Sequence, residues 1–476
     1  MQKMIGLCVA GLMLAAPLCQ AQITPKPAAV GMTLTKMDPA MQKDWLVRWD
    51  KEICSDTKAF RVCDTDMGED IAFKMTPAMD GFYYGYMATK NVKYLDMLVD
   101  WTDSLIKRAV KEPDGYIGWP SKGAAGTLVD KLDDYYADSF LGDAMVFRPI
   151  VLAAHEMTTD PALKGKYGAK GESYIKLAEQ IYEKWVKRGG WRETANGGMI
   201  SVTLPYGMDP ARTKWIDFET RNDPGHGFSH PNNKANEVAL WMLSMWDVTG
   251  KPEYKERAQK WFTLLKSRMK LKGDGTYVIW NYWQPAGPWD YVGSNTKHWV
   301  DVHPNGGYYE MDTRGIVEAY EHGVVFTKAE IDQLISTAKT TWTGGAHASP
   351  SAGMVISVAP ASGMVKQVNA CSVNAKTSEP MSVGPGALLG TVVSRLWDTK
   401  TNTGNIVIKP KDAPATQVTV TMNDDTRIQV LRLWSALAPF DVEIQKSFEG
   451  GTNPDTWFAF ASVPYYLMLQ SELSGK

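Results

Sequence analysis

Apolar residues return every three or four positions along most of this chain, the spacing that gives a helix one buried face. The pattern predicts helices over Met41–Ile53, Pro77–Lys90, Tyr94–Lys111, Ala144–Met157, Gly171–Arg188, Asn233–Val248 and Pro252–Lys270. It continues over Thr313–Gly323, Lys328–Trp342, Gly386–Leu396, Thr426–Leu437 and Trp457–Leu473. Several of these come in pairs separated only by a short polar break, such as the KNVK between the second and third. Residues 343–425 differ: Gly, Ala, Ser, Thr and Val dominate, and apolar positions alternate with period two, which predicts short strands or extended loops between late helices.

A faint repeat runs through the pairs. NVKYLDMLVDWTDSLIK, GESYIKLAEQIYEKWVKR and KPEYKERAQKWFTLLKSR each place a polar turn before a tyrosine (Tyr94, Tyr174, Tyr254) and an amphipathic helix after it. No single hairpin can bury its own apolar face, so repeated hairpins close on one another around a common axis. The fold class that follows is all-α: an (α/α)6 or (α/α)7 toroid of helical hairpins, with a few short strands or extended loops late in the chain.

The first 21 residues carry Lys3, an apolar middle and a small residue before Gln22, the pattern of a secretory leader. They are set apart from a single toroid domain over 22–476, expected in the periplasm or secreted. No later stretch approaches a membrane span. Lys and Arg number 51 against 53 Asp and Glu, without an arginine-rich run, so nucleic acid is not the expected partner; an acidic polysaccharide is. The reading is of a monomer. Cys54 and Cys63 close a short loop and fit a disulfide in an oxidising compartment, which leaves Cys371 as a buried small hydrophobe. The 18 Trp and 20 Tyr are the unusual feature of the composition. Most should fill a helical core; the rest offer flat faces with a polar edge, suited to sugar rings.

Two polar segments interrupt the helices. Asp223–Asn236, DPGHGFSHPNNKAN, holds His226, His230, Asn232, Asn233 and Asn236 and runs directly into a helix; Arg221 stands just ahead of it. Asn281–Arg314 supplies His298, His303, Tyr282, Tyr291, Tyr308, Tyr309, Trp283, Trp289 and Arg314. Long loops inside a helical domain are usually functional, and these two are expected to face each other across a cleft. His, Tyr, Asn and Arg together are the residue types that β-elimination on a uronic acid needs. Asn, Arg or a protonated His binds the C5 carboxylate and acidifies the C5 proton; Tyr or His removes it; Tyr protonates the O4 leaving group. The scheme requires no metal and no other cofactor.

The SHPNN loop entering a helix, the later HWVDVHPNGGYY segment and the leader ahead of paired helices resemble the toroidal alginate and glucuronan lyases. Polysaccharide lyase family 38 is the nearer likeness and family 5 the more distant, with the motifs confined to about residues 219–320. The resemblance implies cleavage of a β-1,4-linked glucuronate or mannuronate polymer. It casts His230 as the loop histidine and Asn232 or Asn233 as carboxylate neutraliser. Arg314 becomes the arginine near the catalytic tyrosine, and Tyr308 that tyrosine, with Tyr309, Tyr291 and Tyr320 behind it. His303 completes the catalytic candidates; His226, Asn232, Arg221, Trp289, Tyr291, His298 and Tyr309 are candidates for holding substrate. His155 and His322 read as structural.

Two other readings stay open. An inverting glycosidase would draw on Asp133, Asp134, Asp138, Asp143, Asp301 and Asp312, but leaves the His and Asn concentration unexplained. A non-catalytic glycan-binding protein would use Trp283, Trp289 and Trp299 as stacking platforms. A C5 epimerase would share the proton-abstraction step.

Overall fold

The computed structural model describes residues 31–55, 68–122, 135–217, 226–272, 275, 277–298, 300, 306–339, 436–456 and 459–473. Between the last two helical regions and the rest it also describes 355–358, 365–367, 388–398, 403–409, 414 and 416–421.

Eleven helices are present among these residues: α1 Pro39–Ser55, α2 Thr76–Thr89, α3 Lys93–Arg108, α4 Phe140–Thr159, α5 Pro161–Lys187, α6 Asn232–Thr249, α7 Pro252–Arg268, α8 Gly306–Glu321, α9 Lys328–Thr337, α10 Val442–Gly451 and α11 Ala459–Leu473. They form two concentric layers. Helix α11 packs on α2, α2 on α4, α4 on α6 and α6 on α8, which makes the inner wall. Each inner helix is backed by an outer one: α1 behind α11, α3 behind α2, α5 behind α4, α7 behind α6, α9 behind α8. Burial explains the sorting. Helix α4 is apolar almost all round, with Ala144, Val146, Phe147, Ile150 and Ala153 enclosed, whereas α3 is strongly one-sided.

The ring closes by joining the two ends of the chain. Thr35 N donates to Gln445 Oε1 at 3.0 Å, Met37 N to Gln470 Oε1 at 2.9 Å and Trp49 Nε1 to Phe460 O at 3.1 Å. Arg48 grips Asp455 at 2.7 Å from outside. The backbones of α2 and α11 meet at Gly81, where an added Cβ would lie 2.5 Å from Phe460 O. Any larger residue there must push the two helices apart.

The repeated tyrosine fastens one outer helix to the one before it. Tyr94 of α3 donates to Asp50 of α1 at 2.6 Å, Tyr174 of α5 to Asp103 of α3 at 2.6 Å, and Tyr254 of α7 packs edge-on against Tyr182 of α5 at 4.7 Å. A lysine just ahead of each tyrosine pairs with an acid on that same preceding helix: Lys93 with Asp50, Lys170 with Asp103, Lys251 with Glu179. The repeat therefore marks contacts between successive outer helices; the polar turn expected before Tyr174 is instead helix, because α5 already runs from Pro161.

Most predicted helices are in place, with four departures, the first being that α8 begins at Gly306 and not Thr313, so Tyr308 and Tyr309 of the second polar segment stand on a helix. Gly386–Leu396, read as a helix, is the strand 388–398; its sequence, LLGTVVSRLWD, holds β-branched residues that suit a strand and a glycine that weakens a helix. That strand is the centre of a five-stranded antiparallel sheet ordered 365–367, 355–358, 388–398, 403–409, 416–421. Helix α5 begins ten residues early, at Pro161, because Asp160 caps it by accepting from Ala162 N at 2.8 Å and the glycines at 165 and 168 are tolerated inside it. Helix α10, only 10 residues long, escaped the periodicity; Asp441 caps it through Glu443 N and Ile444 N. The helix expected at Thr426–Leu437 lies outside the described residues except for its last two positions, and so does Cys63, the expected partner of Cys54.

Candidate active site

The two ends of the ring are unequal. Chain passing from an inner helix to its outer partner needs only residues 90–92, 160, 250–251 or 322–327, whereas the returns span 109–139, 188–231 and 269–305. All the long returns gather where the inner helices begin, so this end carries the elaborated surface.

The two polar segments found in the sequence meet there. Ser229 is the knot: its N–H and Oγ donate to the two oxygens of Asp290 at 2.7 and 2.8 Å, and its carbonyl accepts from Trp283 Nε1 at 2.8 Å. Trp289 Nε1 donates to Ser229 Oγ at 2.8 Å. Asn232 is fully committed to the same joint. Its Nδ2 donates to Asn281 O at 2.8 Å, its Oδ1 accepts from Arg268 Nη1 at 2.9 Å and its N–H reaches Tyr282 O at 3.0 Å. His298 is buried among Phe228, Tyr282 and Trp283. His226 meets Tyr135 Oη through Nε2 at 3.2 Å, and Tyr309 donates to Trp280 O at 2.8 Å. These residues build the wall. Tyr291 stands exposed on a two-stranded ribbon, 291–292 with 295–296. His303, Arg221, Trp299, Asp133, Asp134 and Asp301 lie outside the described residues.

The loop before α6, the first turn of α6 and the first turn of α8 carry the groups with acid, base or amide chemistry. His230 is buried, with Nδ1 2.9 Å from Ser201 Oγ; its Nε2 has no hydrogen-bond partner among the described residues. Desolvation, helped by the Lys234 charge, pushes its imidazole down to about 3, so it is neutral at ordinary pH. Asn233 is held only by a weak contact from Nδ2 to Met311 Sδ at 3.8 Å, and its buried Oδ1 has no partner among the described residues. Lys234 pairs with Glu69 at 2.6 Å. Tyr308 stacks on Tyr282 with ring centres 5.1 Å apart. Burial, then the nearby Glu69 charge, raises the Tyr308 phenol, so it arrives protonated. No side chain caps α6 and its first N–H is spent on Tyr282 O, so the helix dipole is what adds a partial positive charge at this spot.

Beneath this mouth the inner helices carry a column of charge of which the sequence offered only Arg314 and Asp312. Arg314 pairs with Glu237 across α8 and α6. Arg148 of α4 donates to both oxygens of Glu318 at 3.0 Å and to Tyr84 Oη at 3.0 Å, and lies 3.6 Å from Asp80. Burial lifts the Asp80 carboxyl to about 6 and Glu310 to about 7. Asp312 also rises to about 7 through burial, although Trp280 Nε1 and Asn236 Nδ2 both donate to it. Asp80 Oδ1, Arg148 Nε and Arg314 Nε have no hydrogen-bond partner among the described residues, although a quarter of the Arg314 side chain remains open. The signal was available: Asp80 is the one charge of α2, Arg148 interrupts the apolar run of α4 and Glu237 heads that of α6, places where a charge must find a partner. Asp138 and Asp143, in contrast, both hold the buried Lys184, at 2.5 and 2.7 Å, and serve structure.

No protein-family model matches the chain, and no curated protein matches it. Among solved structures it is similar to the cellobiose 2-epimerase from Bacillus thermoamylovorans B4167, at 13% identity over 63% of this chain and 72% of that one, TM-score 0.39. It is also similar to an α-1,6-mannanase from Salegentibacter sp. HEL1_6, at 9% identity over 92% of this chain and 99% of that one, TM-score 0.39. A family 76 glycoside hydrolase from a bovine Bacteroides thetaiotaomicron strain gives 9% identity over 85% and 69%, TM-score 0.39. At such scores the site is read from this chain's own geometry.

Proposed function

We propose that this chain is an exported enzyme that cleaves a uronate-bearing polysaccharide by β-elimination at the mouth of the ring. One observation carries the reading: the start of α6 sets an ammonium (Lys234), a loosely held amide (Asn233) and a neutral imidazole (His230) on its first turn and the loop before it. On α8, Tyr308 stacks on Tyr282, and burial, then the charge of Glu69, the partner of Lys234, raises its phenol above its ordinary value. The N-terminus of α6, Lys234 and Asn233 take the C5 carboxylate, drawing charge from C5 as the proton leaves. His230 and Tyr308 share the proton transfers. The imidazole is a weak base while empty, but a bound carboxylate beside it favours its protonated form and so raises its basicity. The C5 proton passes to His230 Nε2, the C4–O4 bond breaks, and the Tyr308 proton passes to O4. Arg314, paired with Glu237 further down α8, supports the column and is not assigned to the carboxylate.

Incubation with polyglucuronate, polymannuronate and pectin, followed by ultraviolet absorbance, tests the reading. Absorbance from a conjugated double bond is expected with at least one uronate and is expected to vanish in Tyr308→Phe. A set of uronates that yields no absorbance overturns it.

A second reading has its own observation. Glu310, a carboxyl raised to about 7 by burial, and Glu237, ion-paired with Arg314, are two carboxyls on the packed inner helices α8 and α6. Such a pair suits the acid and base of glycoside hydrolysis. It would yield new reducing ends without ultraviolet absorbance and would be stopped by Glu310→Gln.

A further inference from the structure

A cleft opens among the long returns at the same end of the ring, and its lining shares no residue with the mouth. It encloses about 520 Å³ and is lined by Asp114, Tyr116, Arg188, Tyr206, Trp215 and Asp217, with Lys187 at its rim. Its walls come from three separate segments: the loop leaving α3, the end of α5 and the hairpin 206–208 with 215–217. The hairpin is pinned in a four-stranded sheet with 121–122 and 136–137. Tyr206 and Trp215 meet edge-on at 5.0 Å, so their rings form a corner rather than a stack. Tyr206 Oη donates to Arg188 O at 3.2 Å, which fixes the corner to α5.

The floor is an ion-paired cluster around Arg188. Buried Arg188 donates to Glu112 at 2.7 Å and to both oxygens of Asp114, at 2.8 and 2.9 Å, and Asp138 lies 3.3 Å away. Its guanidinium also lies 5.0 Å from the Trp215 ring centre. Asp114 and Asp217 are exposed at the opening. Partly open aromatic faces meeting fixed carboxylates is the composition of a site for a polyhydroxylated ring: the apolar face of a sugar lies against the aromatic, and its hydroxyls donate to the acids.

The cleft is joined to the mouth by one extended segment. Ser201, the partner of His230, lies five residues before Tyr206, a span of about 17 Å at most. Thr203 N donates to Phe228 O at 2.9 Å along the way, so the segment is tied to the loop that carries His230. We infer that this cleft is a second glycan-binding site, which takes a hexose unit of a chain whose other part lies in the mouth. The inference rests on the chain acting on a glycan, and not on the bond being broken by elimination.

The test uses the full chain carrying Tyr308→Phe, so that no substrate is consumed, and compares it with the same chain carrying Trp215→Ala, Trp215→Phe or Asp217→Ala. Probes are polymannuronate, polyglucuronate, β-1,4-glucan and mannan, in affinity electrophoresis and in calorimetry with the corresponding pentasaccharides. Trp215→Ala should weaken binding of a retained polymer by about tenfold, the loss of one aromatic contact. Trp215→Phe should recover most of it, and Asp217→Ala should weaken binding without touching the aromatic corner. Unchanged binding in both Trp215→Ala and Asp217→Ala overturns the cleft, as does a parent chain that binds none of the probes. Binding that depends on Trp215, with no unsaturated product from the wild-type chain, supports the cleft and removes elimination. Unsaturated product with binding indifferent to Trp215 and Asp217 does the reverse.

Discussion

The neutrality of His230 can be checked without knowing the substrate. Buried against Phe140 and 2.9 Å from Ser201 Oγ, its imidazole is pushed down to about 3, mainly by lost hydration. In the unfolded chain the same group titrates near its ordinary value of 6.5. Between these two values the unfolded chain holds a proton that the folded chain refuses. Stability contributed through this residue therefore rises with pH across the window from 3 to 6.5 and is flat above it. At pH 5 the difference amounts to roughly 2 kcal/mol, because 1.4 kcal/mol corresponds to each tenfold change in proton occupancy. His230→Gln removes the titration while keeping a polar group beside Ser201. Urea unfolding at pH 7.5 and pH 5 should show wild type losing about 2 kcal/mol more than His230→Gln on acidification. Equal losses would refute the reasoning, and so would a His230 imidazole resonance, assigned by its loss in His230→Gln, titrating near 6.5 in the folded chain.

Three further outcomes follow from the packing. Gly81→Ala should destabilise by about 1–3 kcal/mol, read by thermal or urea unfolding, because its Cβ has no room beside Phe460 O. Arg148→Met should cost about 3–5 kcal/mol in the same assay, since it strands Glu318 and Asp80 inside the ring; adding Glu318→Gln should recover part of that loss. Tyr174→Phe removes one hydrogen bond to Asp103 and should cost about 1 kcal/mol, with no change in helical content by circular dichroism. For Glu310, a carboxyl raised to about 7 is protonated in the fold when its unfolded counterpart is ionised, so its contribution to stability falls as pH rises from 4.5 to 7. Glu310→Gln should flatten that part of the pH profile.

The ring was legible because its helices bury one face against a neighbour, and burial on one face writes a 3.6-residue period into the sequence. The tyrosine repeat was legible for a second reason, since the same outer-helix contact recurs around the ring at Tyr94, Tyr174 and Tyr254. The meeting of the two polar segments was foreseeable from their length and their position before inner helices. The division of labour within them was not. Asn232 and Asn233 are adjacent and chemically identical, yet Arg268 and Asn281 O consume the amide of the first while the second keeps an unpartnered oxygen among the described residues. That distinction belongs to the packing of α7 and of the loop after it. The charged column was hidden by the same periodicity that revealed the helices, because a charge within an apolar helix looks like noise until three inner helices bring Asp80, Arg148 and Glu318 together. The strand at 388–398 was misread because its apolar spacing fits either period over so short a run.

Mass analysis of the oligosaccharides released from polyglucuronate and polymannuronate tests the central claim most directly. Elimination at the mouth predicts fragments lighter by one water than hydrolytic ones, formed by the wild-type chain and absent with Tyr308→Phe. Fragments of full hydrolytic mass, formed equally well by Tyr308→Phe and lost with Glu310→Gln, would contradict it.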